Sequence, residues 1–154
     1  MKIGPHIQNY SDASKPWVRV ASIGKSIDNP APFLDAPEAA IRVFRAFTGD
    51  NNTDVQSVFD AIISRLGGYR HRNLYVEIIN EPDQFNHAVI DFARAIVPRL
   101  HNAQLKVAGP CWSTGTPEPI VYQAWRDAGW AGLDAIGLHG YWGTGGFTKF
   151  HALR

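Results

Sequence analysis

LYVEIINEPD, residues 74–83, runs as a mostly apolar strand into Asn80, Glu81 and Pro82. Proline cannot donate to a sheet ladder, so the strand stops there and Glu81 is held at its carboxyl end. Working outward, runs of the same strand length recur: KIGPHIQ (2–8), SIGKSID (22–28), IRVFRAF (41–47), LKVAGPC (105–111) and LDAIGLHG (133–140). Stretches with helical spacing lie between them, at Ser14 to Val20, Pro37 to Ala40, Asp54 to Leu66, Asn86 to Leu100 and Pro119 to Ala128. The helix from Asp54 shows the pattern best. Val55, Val58, Phe59, Ile62, Ile63 and Leu66 fall on one side, Asp54 can cap the start, and Gly67-Gly68 ends it. Strands and helices that take turns predict an α/β fold with a parallel sheet of about six β/α units. No linker or low-complexity tract divides residues 1–154, so one domain is expected.

Polar side chains gather late in several strands, with small residues earlier on the same alternating face: Gly4, His6, Gln8; Gly24, Ser26, Asp28; Gly137, His139, Tyr141. In barrels and open α/β sheets alike, ligands bind at that carboxyl end. A carboxylic acid there, near apolar walls, can stay protonated near neutral pH. Glu81 is therefore positioned to protonate a glycosidic leaving oxygen. The Asn80 amide is placed to bond a sugar hydroxyl beside the reacting carbon.

Strand 4 ending in Asn80-Glu81-Pro82, and GLHGY (137–141) ending strand 6, resemble the glycoside hydrolases of clan A, the cellulase-, mannanase- and xylosidase-like group. The resemblance implies a (β/α)8 TIM barrel that cleaves β-linked sugars with retention of configuration. It assigns Glu81 as acid/base, Asn80 as hydroxyl ligand, and His139 and Tyr141 as residues that orient the catalytic carboxylates. Arg45, ending IRVFRAF, resembles an arginine that such enzymes keep near the nucleophile, usually one strand earlier. Trp112, ending strand 5, and Trp142, after strand 6, are each suited to stack on a sugar or to pack in the core.

The same resemblance places a nucleophilic Glu on strand 7 and a Trp on strand 8, whereas a barrel takes about 250 residues and this chain has 154. The expectation is a partial barrel of strands 1–6, inactive alone, from a truncated gene or from a chain that assembles with another. Glu77 shares the strand with Glu81 but lies about 13 Å deeper at ~3.3 Å per residue, too far to be its partner. Asp28 is the one other acid placed to pair with it, at the roughly 6.5–9.5 Å of an inverting enzyme. Asp83 is expected to cap the following helix or bond its own loop.

Composition sets limits. The chain is 45% hydrophobic and 19% charged, with a formal net charge of +1, which suits a packed core and recruits neither nucleic acid nor anionic membrane. No segment approaches the ~18 apolar residues of a membrane span, and no export signal is evident, so a soluble chain is expected. Its single Cys111 is expected to be a buried strand-end residue. The histidines show no metal-ligand spacing, and no metal or cofactor is implied. Two alternatives stand beside the enzyme: a non-catalytic carbohydrate-binding or structural barrel remnant, and a doubly wound α/β domain. The expected partners are a carbohydrate and, through open sheet edges, a second copy or a complementing chain.

Overall fold

Strands and helices alternate throughout the computed structural model, which describes residues 6–7, 10–12, 15–49, 51–112 and 117–138. In chain order these are β1 (His6–Ile7), α1 (Lys15–Val20), β2 (Ile23–Ile27), α2 (Pro32–Asp35), β3 (Ile41–Arg45), α3 (Val55–Leu66), β4 (Leu74–Glu77), α4 (Ala88–Asn102), β5 (Lys106–Trp112), α5 (Pro119–Asp127) and β6 (Ala135–Leu138). A 3-10 turn, Gly129–Gly132, joins α5 to β6. All pairings are parallel and follow the chain, β1-β2-β3-β4-β5-β6. Five strands have four to seven residues, and the two-residue β1 completes one edge.

The register divides the sheet into two chemically distinct faces. Ser26, Phe44, Val76 and Val107 lie side by side across β2 to β5, and all are buried. One apolar cluster joins the last three of them to Phe33 of α2, Val58 and Ile62 of α3, Phe92 and Ile96 of α4, and Trp125 of α5. These helices therefore cover one and the same face. The opposite face carries Ile27, Arg45, Glu77 and Ala108 in register. None of these four residues belongs to that apolar cluster.

Local chemistry explains the clearest element. The Asp54 side chain accepts from the Ser57 amide at 2.6 Å, and Gly67 closes α3 in the left-handed region at φ 55°. Two expectations change. The short helix lies at Pro32–Asp35 and not at Pro37 to Ala40. Proline at its first turn suits a helix start, while Ala36 is extended before Pro37. The Arg42 guanidinium then donates to the carbonyls of Ala36, Pro37 and Ala40, which fixes that segment as a turn. On β2, Gly24 and Ser26 belong to the helix-covered face, so the inward charged residue is Lys25. Among the described residues no helix is long and apolar enough to cross a membrane.

Candidate active site

Arg45 ends β3 and stands in register with Glu77, which ends β4. Beyond Glu77 the strict alternation of β4 is lost, because Ile78 and Ile79 are both buried. Pairing to β5 resumes where Asn80 meets Cys111. The stretch is stitched by backbone bonds: Ile78 N–H to the Ala108 carbonyl at 3.2 Å, Cys111 N–H to Ile79 at 3.1 Å, and Glu81 N–H to Cys111 at 2.7 Å. On its other side, against β6, β5 shifts register between Ala108 and Cys111. Gly109 lies in that shift at φ 148°, where an added Cβ would sit 3.0 Å from the Ile78 side chain.

Beyond this stretch Glu81 stands at the carboxyl end with φ 44°. Side chains other than glycine seldom enter that region, and holding one there costs on the order of 1–3 kcal/mol. Pro82 is buried directly after it, so the half-buried Glu81 cannot relax into a continued strand. Its loop is tied to both neighbours. Asp83 N–H donates to Asn51 Oδ1 at 3.2 Å, and Gln84 Oε1 accepts from Glu118 N–H at 2.8 Å. Asp83 bonds its own loop, accepting from the Phe85 amide at 3.0 Å.

Arg45 and Asn80 line one shallow pocket with residues 46–49, Asn52, Ile78 and Ile79. Two polar atoms in its walls are shielded from solvent and have no hydrogen-bond partner: Arg45 Nε, a donor, and Asn80 Oδ1, an acceptor. Buried polar groups are nearly always satisfied, so an unpartnered donor and an unpartnered acceptor on two residues of one pocket mark it as a candidate ligand site.

Beneath the pocket, on the face away from the helices, Glu77 is 1% exposed. Its Oε2 lies 2.6 Å from Lys25 Nζ of β2, and its Oε1 3.6 Å from Arg45 Nη1. Neither carboxylate oxygen meets a well-aligned N–H, so charge attraction and not hydrogen-bond geometry defines this pair. The Cys111 thiol is buried against the same group. Burial pushes its pKa well up, and the Glu77 carboxylate pushes it further, which leaves an inert thiol.

The structure brings Glu81, Asn80 and Arg45 to the same end of adjacent strands. His139, Tyr141 and Trp142 lie outside the described residues. Trp112 is 1% exposed and meets Trp125 edge-on at 6.1 Å in the helix-side core, so its ring offers no face to a sugar. Asp28 is drawn away to α3: its Oδ1 lies 2.7 Å from Arg65 Nη1 and also accepts from the Phe47 amide at 2.7 Å. Lys25 and Glu77 form the feature that pattern alone missed. The available signal was a charge set inside each of two otherwise apolar strands. Among the described residues no group of three or more His, Cys, Asp or Glu side chains is placed to hold a metal. Comparison with protein-family models, curated proteins and solved structures finds no match.

Proposed function

We propose that the chain carries the acid/base half of a retaining β-glycosidase site, built on part of a (β/α)8 barrel. The supporting observation is that Arg45 Nε and Asn80 Oδ1 are both shielded and partnerless and that both residues line one pocket, with Glu81 the next residue along. A sugar hydroxyl is both donor and acceptor and fits that pair. Two features favour a barrel over a doubly wound sheet. The strand order has no reversal among the described residues, and α2 to α5 share one face.

In this reading Glu81 donates its proton to the leaving oxygen as the glycosidic bond breaks, then takes one from the water that releases the sugar. The anomeric carbon must meanwhile be taken by a second carboxylate. The sequence holds three other glutamates. Glu77 is committed to Lys25 and Arg45, Glu38 lies against His71 and Arg72, and Glu118 bonds Gln84. In this reading the second carboxylate stands on a strand 7, supplied by a longer form of the chain or by a complementing one, and without it the same pocket binds sugar and does not cleave it.

The test uses activated aryl β-glycosides, with and without a polypeptide supplying strands 7 and 8 and an acid at the end of strand 7. The chain alone is expected to give no turnover above background. The complemented protein is expected to give retained configuration, and Glu81→Ala to lose about 10²–10⁴ of the rate. Added azide should restore part of that loss, because a small anion needs no base to reach the glycosyl intermediate. Hydrolysis that survives Glu81→Ala unchanged would remove Glu81 from the mechanism.

A further inference from the structure

Phe47 is 49% exposed at the carboxyl end of the sheet, two residues beyond the end of β3. A half-exposed phenylalanine is ordinary by itself. Phe47 differs in that its backbone is held on both sides. Asp28 leaves β2 with φ 60°, and its Oδ1 accepts from the Phe47 amide at 2.7 Å, in the place that the next carbonyl of a parallel ladder would take. Arg65 Nη1 of α3 donates to that same Asp28 oxygen and to the Phe47 carbonyl, which closes the clamp. The alternation of β3 therefore continues past its last ladder residue. Phe44 and Ala46 are buried in the helix-side cluster, whereas Phe47 keeps the parity of Arg45 and stays outside that cluster. It lines the same shallow pocket as Arg45 and Asn80, and among the described residues no other ring and no cation stacks on it.

Building on the sugar-site reading, we infer that Phe47 is the platform of this pocket, and that its ligand is a pyranose whose C–H face lies on the phenyl ring. A sugar ring is polar at its rim, where equatorial hydroxyls point, and apolar on the faces where axial C–H bonds point. The polar pocket residues answer the rim, and an aromatic ring beside them answers the face. The clamp on the Phe47 backbone reduces the ordering that a free loop would have to undergo when ligand binds. A β-D-glucopyranoside, with every ring substituent equatorial, offers such faces, whereas an open-chain polyol with similar hydroxyls offers none.

The experiment titrates the full chain with methyl β-D-glucopyranoside and with glucitol, and follows the ligand protons by NMR. The protons of one ring face of the glucoside are expected to move upfield as it binds, because they enter the shielding region above the phenyl ring, and glucitol should show no such shift. Phe47→Leu keeps apolar bulk at an exposed position, and its melting temperature verifies folding. It should weaken the glucoside about tenfold and abolish the upfield shift, while Phe47→Tyr should keep both. Asp28→Ala, which opens the clamp, should lose part of the affinity. Glucoside binding that falls in Asn80→Ala but keeps its strength and its shifts in Phe47→Leu would overturn the platform while the sugar site stands. Glucitol bound as tightly as the glucoside would overturn the pyranose class, and binding of neither would overturn both readings.

Discussion

Cys111 and Gly137 face one another in register across β5 and β6, and their fit is a matter of one missing methyl. A Cβ on Gly137 would collide with Cys111 Sγ and lie 2.9 Å from its Cβ. Gly137→Ala is therefore expected to destabilise the fold by roughly 1–3 kcal/mol, as overpacking does. Cys111→Ala removes the sulfur contact but keeps the Cβ at 2.9 Å, so it should recover only part of the loss, and a thermal-melt double-mutant cycle will show the coupling. Near-equal losses in the presence and absence of the thiol would refute this account. The same residues show how much of the site pattern could reveal. Glu81 was legible because Asn80-Glu81-Pro82 ends an apolar strand within three consecutive residues. Arg45 was legible as a strand-end cation. Lys25 and Glu77 were not, because the compatibility of a lysine inside β2 depends on a carboxylate two strands away, and no local window contains both.

Element ends carry signals confined to a few residues, which is why α3 was read almost to its boundaries while α2 was displaced. Removing the Asp54 side chain leaves the Ser57 amide without its acceptor, so Asp54→Ala should cost about 1 kcal/mol in denaturant unfolding. An unchanged midpoint would show the cap to be dispensable. The junction of α4 with β6 responds to pH. Burial pushes the Asp134 carboxyl up, but the Val107 amide and His101 outweigh it, and the pKa ends below the ordinary 3.8. A depressed folded pKa means that the stabilisation is full above the unfolded value and is lost as pH falls through the folded one. Stability should decline below about pH 4 in the native chain, and Asp134→Asn should flatten that limb. Acid titration of the melting temperature compares them, and parallel curves would contradict the assignment. The α2 displacement arose from contacts that spacing does not record. Arg42 gathers carbonyls from Ala36 to Ala40 by folding back on them, which holds that segment in a turn.

At the scale of the whole molecule, helices cover one face while Ile23, Ile27, Ile41, Val43 and Tyr75 remain only half-buried on the strands. Ile136 on β6 is 40% exposed. Among the described residues neither β1 nor β6 has a second strand beside it. Such a surface should bind an apolar dye and drive self-association that grows with concentration in size-exclusion chromatography. A monomer with no dye binding would show that this face is sealed. The parallel α/β architecture itself was legible in the alternation of strand-length and helix-length runs; what the alternation could not carry was which face of β2 turned inward. Strand order has one more consequence, for how the chain comes into being. Every strand from β2 to β6 pairs with the one synthesised just before it. No strand must wait for a later one to define its place, and each loop to be closed is short. As the ribosome releases roughly 5–20 residues per second, each new β/α unit meets an edge already formed, so the sheet can grow in the order of translation.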